Sequence, residues 1–288
     1  MSRFSGLMVA TLTPFDGAGR LDYGVVRAHT EYLISGGAAG LCPVGTTGEM
    51  LYLSVGEKVR LIEETVRAAK DRVPIIAGVS ALTGKEIALL ARAAEAAGAD
   101  AVFLPPPIYF PASQDSIFAY YAAVRQACGL PVFAYNIPAY AANGIELDTV
   151  ERLVSSGVID GIKDSTGKDV QMRALLERFG ARIAVEAASD SFALEARNLG
   201  AHGFISALAN IWPRAMSRLW TGDDSVQPAM DAVRTAVKRA GGIPALKYLA
   251  GLRGFPFGAS RLPHSELDDA RRAALTGAFR TAGETLSA

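Results

Sequence analysis

The chain has 288 residues, half of them hydrophobic and 20% charged, and its 29 basic and 29 acidic side chains cancel. Balanced charge excludes a general attraction to nucleic acid or to an anionic membrane, so the expected partner is a small molecule. Cys42 and Cys128 stand in apolar surroundings without metal or redox spacing, and the N-terminal stretch meets Pro14 and Asp16 too soon for a signal peptide, which predicts a reduced, cytoplasmic protein.

In chain order, apolar and β-branched runs at 7–12, 40–44, 74–79, 101–104, 131–135, 158–163, 183–187 and 203–207 predict eight strands. Segments with helical periodicity lie between them, such as 25–34, 56–69, 85–97 and 116–127, and several end at a glycine suited to a left-handed cap. Short strands that are apolar along most of their length and alternate with helices predict a parallel sheet under a helical cover. Eight such units predict an α/β fold, a (β/α)8 TIM barrel, with an open doubly wound sheet as the alternative. No linker or low-complexity stretch divides the chain. Further helical segments at 226–240, 244–252 and 267–286 predict a C-terminal helical extension, so that 1–222 forms the barrel and 223–288 covers a face or supports oligomerisation.

In a barrel of this type, polar residues at the carboxyl ends of strands carry the chemistry. The most informative one is Lys163, an amine at the end of the apolar run Gly-Val-Ile-Asp-Gly-Ile-Lys-Asp-Ser. The other lysines, Lys58, Lys70, Lys85, Lys168, Lys238 and Lys247, fall in helical or loop contexts from which a long side chain is expected to reach water. A desolvated lysine is the nucleophile needed for a Schiff base with a ketone. Its neighbour Asp164 is a poor ion partner, because adjacent strand residues point to opposite faces. The same period aims Gly161, Lys163 and Ser165 one way, and Gly161 is expected to leave room beside the lysine. Tyr135, at the end of the fifth strand, is placed to relay a proton. The turn from Gly45 through Thr46 and Thr47 to Gly48 offers hydroxyls and N–H groups to a carboxylate, though a plain strand-to-helix turn with Thr47 as cap fits it as well. It is not a nucleotide loop, for it lacks the Gly-Lys-Ser/Thr ending and the three spaced glycines. His29, His202 and His264 are scattered and carry no metal-binding spacing.

Gly-Thr-Thr-Gly-Glu at 45–49, Tyr-Asn-Ile-Pro at 135–138, Gly-Ile-Lys-Asp-Ser at 161–165 and Gly-Phe-Ile-Ser at 203–206 together resemble the dihydrodipicolinate synthase and N-acetylneuraminate lyase family over nearly the whole chain. The resemblance implies a class I aldolase handling pyruvate without metal or organic cofactor. Lys163 would form the Schiff base, Tyr135 would relay the proton, Thr46 and Thr47 would hold the carboxylate, and Ile205 would line the pocket. It also implies a homotetramer in which Tyr109 reaches a neighbouring subunit. One departure bears on the substrate. Five residues after the tyrosine, the lysine-pathway synthases carry an arginine for the carboxylate of aspartate semialdehyde, and here that position is Tyr140. The expectation is therefore a member closer to the aldolases that cleave 2-keto-3-deoxy sugar acids, with Ser165, Ser189, Asp190 and Ser206 meeting the hydroxylated tail. The lysine-pathway synthase, a dehydratase on the same lysine, and a catalytically silent binding barrel are the alternatives.

Overall fold

The computed structural model describes residues 3–286. Eight parallel strands, β1 (Gly6–Ala10), β2 (Gly40–Cys42), β3 (Ile76–Gly78), β4 (Ala101–Leu104), β5 (Val132–Asn136), β6 (Gly161–Asp164), β7 (Ala184–Ala187) and β8 (Gly203–Ser206), form one sheet in the order β2-β1-β8-β7-β6-β5-β4-β3. The bridge Leu41↔Ile75 joins the two end strands in parallel, so the sheet closes on itself as a (β/α)8 barrel. The helices are α1 (Tyr23–Ser35), α2 (Val55–Ala69), α3 (Gly84–Ala97), α4 (Gln114–Ala127), α5 (Pro138–Ala141), α6 (Leu147–Ser155), α7 (Asp169–Phe179), α8 (Ala193–Leu199), α9 (Pro213–Thr221), α10 (Gln227–Arg239), α11 (Ile243–Leu252) and α12 (Asp269–Leu286). No described helix is long and apolar enough to cross a membrane.

Alternation along each strand splits the core into two layers. Leu7, Val9, Leu41, Val102, Leu104, Val132, Ile162 and Val185 face the helices, whereas Met8, Cys42, Ile76, Phe103, Phe133, Tyr135 and Ile205 fill the barrel. Large residues inside are matched by glycines on neighbouring strands. A Cβ at Gly40 would lie 2.1 Å from the Met8 sulfur, and one at Gly161 would lie 2.2 Å from the Phe133 ring. The space beside Lys163 that Gly161 was expected to leave open is thus occupied by Phe133, and the glycine serves packing below the lysine.

Helix α2 shows how local sequence sets an element. Ser54 caps it by accepting from the Glu57 N–H while the Glu57 carboxylate accepts from the Ser54 N–H, a reciprocal cap that contributes about 1 kcal/mol. Its inward stripe holds Lys58, Leu61, Ile62, Thr65 and Ala69. Lys58 therefore departs from the expectation of a solvated lysine. It is buried, and its ammonium donates to the Ser80 carbonyl at 2.7 Å. Lys247 of α11 departs further, being buried against Glu49 with a 2.5 Å ion pair. Helix α10 packs on α12 and on the turn Asp190–Phe192 that follows β7, which brings the C-terminal helices over the carboxyl ends of the strands.

Candidate active site

β5 and β6 pair with Tyr135 opposite Lys163, so both side chains enter the barrel from adjacent strands. Lys163 is 4% exposed, and its Nζ stands 3.9 Å from the centre of the Tyr135 ring and 4.9 Å from that of Phe103. Asp164 points the other way. Its carboxylate accepts from Asn136 Nδ2 at 2.8 Å and from the Thr166 N–H at 3.0 Å, leaving the lysine without an ion partner on its own strand. A cavity of about 570 Å³ opens above the lysine and is shared by Tyr135, Thr46, Thr47, Ile205 and Tyr140. That volume suits a small metabolite.

The turn after β2 is held in an unusual conformation. Val44 takes a left-handed φ of 60°, costly for a β-branched residue, and its carbonyl sits where a Cβ at Gly78 would be, 2.0 Å away. The turn then folds on itself through Gly48 N–H to Gly45 carbonyl (3.0 Å) and Glu49 N–H to Thr46 carbonyl (3.1 Å). Among the described residues, the N–H groups of Thr46 and Thr47 donate to no acceptor. Thr47 is not a helix cap, since Ser54 caps α2. Gly45 lies outside the cavity lining, against the Phe103 ring.

Glu49 closes the turn from below. It is 1% exposed, pairs with Lys247 from α11, and accepts from the Arg261 N–H at 2.9 Å, while the Arg261 guanidinium bonds Glu57 and the Tyr52 carbonyl. Burial pushes Lys247 below the usual lysine range and Glu49 opposes that shift. The C-terminal region thereby reaches the turn that carries Thr46 and Thr47, a connection invisible in sequence spacing.

On the other side of the lysine, Ser165 Oγ donates to the Ala188 carbonyl at 3.1 Å and stands 3.4 Å from the Tyr135 hydroxyl. Ser189 and Asp190 line the cavity. Ser206 does not; it is fully buried, and its hydroxyl donates to Asp190 Oδ1 at 2.6 Å and accepts from the Ala209 N–H. Burial raises the Asp190 carboxyl above its usual range. Tyr140, on α5, is 74% exposed at the cavity rim. Tyr109 lies outside the cavity lining, 79% exposed with φ of 80° and edge-on to the exposed Phe110.

Three groups here escaped the sequence reading. Glu186 faces Lys163 in register from β7, is fully buried, and neither carboxylate oxygen has a hydrogen-bond partner among the described residues. Burial holds its carboxyl well above the ordinary value. The charged residue in the middle of the run Ile-Ala-Val-Glu-Ala-Ala was the available signal. His264 lines the cavity and meets Tyr52 edge-on, and Arg234 of α10 lines it beside Asp190. Both come from the C-terminal extension, which the sequence allows to cover a face of the barrel without saying which face or which residues turn inward. The buried Cys42 thiol is pushed up to about 12 by desolvation, which leaves it inert.

Proteins of known name share this fold. The chain is 35% identical over 286 residues to the 4-hydroxy-tetrahydrodipicolinate synthase of Acidiphilium cryptum, covering 95% of this chain and 98% of the relative. Among solved structures, dihydrodipicolinate synthase DapA-2 of Bacillus anthracis superposes with a TM-score of 0.93 at 29% identity, covering 98% of this chain and 99% of the other. The chloride-inhibited dihydrodipicolinate synthase of Acinetobacter baumannii, complexed with pyruvate, gives 0.91 at 32%, with 97% and 99% covered. The family model for the dihydrodipicolinate synthetase family matches residues 3–280, and the chain belongs to that family of pyruvate-dependent, class I aldolase-type enzymes.

Proposed function

We propose that the protein joins pyruvate to an aldehyde, or runs the reverse cleavage, through a Schiff base at Lys163. The observation that carries this is a buried amine with no ion partner on its strand, set against a tyrosine ring at the floor of a metabolite-sized cavity. The unpaired amine of Lys163 attacks the keto carbon of pyruvate and expels water, and the resulting iminium withdraws electrons so that the methyl group loses a proton to give an enamine. The enamine carbon attacks the aldehyde, the Tyr135 hydroxyl protonates the developing alkoxide, and water hydrolyses the product iminium to free Lys163; in the cleavage direction the Tyr135 phenolate takes that proton back. Thr46 and Thr47 hold the carboxylate through hydroxyl and N–H, which fixes the angle of attack, and Ile205 packs beside the methyl. Tyr109 and Phe110, an exposed aromatic pair, are the contact proposed for assembly into a tetramer.

For the second substrate, the relatives favour the lysine-pathway condensation with aspartate semialdehyde, since they are named 4-hydroxy-tetrahydrodipicolinate synthases. The expected kinship with sugar-acid aldolases has no counterpart among these relatives and rests on Tyr140 at the arginine position, with Ser165, Ser189 and Asp190 in the cavity. The test is turnover of pyruvate with aspartate semialdehyde and with glyceraldehyde, in wild type and Lys163→Ala. A Schiff-base enzyme loses both activities in the variant, and the preferred aldehyde selects between the readings. A silent binding barrel turns over neither aldehyde and keeps pyruvate affinity in the variant.

A further inference from the structure

The loss of the arginine at position 140 argues against an anionic aldehyde only if no other cation enters the cavity. One does. Arg234, on the inner side of α10, lines the same cavity as Lys163, Tyr135, Thr46 and Thr47. It is the one arginine among the lining residues, and Tyr140 at the rim supplies a neutral phenol.

The chemistry around Arg234 leaves its guanidinium available. Among the described residues it makes no hydrogen bond, and its nearest carboxylate oxygen, Asp190 Oδ2, is 3.8 Å away, a loose ion pair too long for a hydrogen bond. Asp190 is itself committed elsewhere: Oδ1 accepts from Ser206 Oγ at 2.6 Å, and the residue is 3% exposed. Desolvation raises its carboxyl and the nearby Arg234 charge opposes that shift, so the two attract one another without a hydrogen bond between them. The Arg234 side chain is 38% exposed, and its guanidinium retains its forked set of donors, the geometry that receives a carboxylate or phosphate in bidentate fashion.

Position matters as well. Thr46 and Thr47 follow β2, whereas Asp190, which marks the Arg234 corner, follows β7, and the sheet order β2-β1-β8-β7 separates them by three strand steps around the mouth. Lys163 on β6 lies next to the Arg234 corner. Tyr140 stands after β5, on the opposite side of the lysine. A pyruvyl carboxylate on the Thr46 turn thus leaves the β7 side of the cavity for the tail of the incoming aldehyde.

We propose that Arg234 binds an anionic group on the aldehyde substrate, a carboxylate or a phosphate, and so sets the specificity of the second half-reaction. This rests on Lys163 being the Schiff-base residue. The arginine approaches from the C-terminal helices and from the β7 side, so the anionic tail points away from the β5 side that the arginine at position 140 would serve. Arg234 is a specificity residue and takes no part in forming the pyruvyl adduct.

The experiment measures kcat/KM at saturating pyruvate for three aldehydes, aspartate semialdehyde, glyceraldehyde 3-phosphate and neutral glyceraldehyde, in wild type, Arg234→Ala and Arg234→Lys. Borohydride trapping of pyruvate on Lys163 is run in parallel. The readout is the preference for each anionic aldehyde over glyceraldehyde. A charge-assisted contact contributes about 2–3 kcal/mol, so Arg234→Ala should lower the preference roughly 30- to 150-fold, with part of it kept by Arg234→Lys, whose ammonium retains the charge but not the fork. Whichever anionic aldehyde loses its preference identifies carboxylate or phosphate as the natural group. A preference within about twofold of wild type for both anions overturns the proposal. Equal losses for the neutral and anionic aldehydes do so too, by assigning Arg234 a purely structural role. Absence of a trapped adduct in wild type overturns the Schiff-base reading instead, and the two failures are told apart by mass.

Discussion

Replacing Lys247 by methionine tests whether the C-terminal helices hold the active-site turn. Methionine keeps the length and apolar character of the stem and removes the charge. The pair it breaks is fully inside the protein: the side chains of Lys247 and Glu49 are 2% and 0% exposed, and Nζ to Oε1 is 2.5 Å. An exposed pair such as Arg182 with Glu151 contributes at most about 1 kcal/mol. Removing one partner of a buried pair instead strands a charge in low dielectric, at a cost of roughly 3–5 kcal/mol. The Arg261 N–H remains on Glu49 Oε2 and offsets part of this, so the lower end, about 3 kcal/mol, is expected. Urea unfolding followed by circular dichroism measures the loss. The double variant Lys247→Met/Glu49→Gln should recover more than half of it, because the stranded charge is gone. Glu49 ends the turn bearing Thr46 and Thr47, so KM for pyruvate should also rise, by about tenfold for each ~1.4 kcal/mol of lost positioning. A loss under about 1 kcal/mol together with an unchanged KM would refute the reasoning, since the pair would then behave as a surface contact.

Three further outcomes follow from the same geometry. Glu186 has a folded-state pKa raised by burial, so the wild-type protein should lose stability as pH rises from the ordinary value near 4.5 toward the raised one. Glu186→Gln should flatten that slope, and parallel unfolding profiles of the two proteins between pH 5 and pH 8 would contradict it. Tyr135→Phe should leave pyruvate trapping on Lys163 largely intact while lowering turnover about 100-fold or more, as loss of a proton relay does; equal loss of both would make Tyr135 a packing residue. Tyr109→Ala, at an exposed site with few contacts to lose, should shift the assembly toward smaller species in sedimentation velocity with little change in monomer stability, and an unchanged distribution counts against the Tyr109 contact.

The barrel was legible because parallel strands covered on both faces must be apolar along their length, and eight such runs alternate with amphipathic segments. Strand ends were less so. Val158 and Ile159 read as the start of the sixth strand, yet pairing begins at Gly161, because those two residues are buried in the layer facing the helices without joining the ladder. The placement of Lys163 and Tyr135 together in the cavity was legible for a physical reason: a charged or phenolic group at the end of an apolar strand has few solvated options. The lysines on helices misled for the complementary reason. A helical lysine reaches water only if nothing covers it, and Lys58 is covered by the loop of Ser80 while Lys247 is covered by Glu49 and residues 259–261. The run Ala-Leu-Lys-Tyr-Leu-Ala around Lys247 held a usable hint, for a charge with apolar residues on every side of its turn is as unusual as one on a strand. Arg234 offered no such hint, since its role depends on α10 folding back across the barrel mouth.

The most direct test of the central claim is intact-mass spectrometry after borohydride reduction in the presence of pyruvate, with peptide mapping and Lys163→Ala as control. If Lys163 is the Schiff-base residue, one reduced pyruvyl adduct per chain forms, confined to the peptide containing Lys163 and missing from the variant. A folded wild-type protein without the adduct, or an adduct on Lys58 or Lys247 that survives in Lys163→Ala, would contradict it.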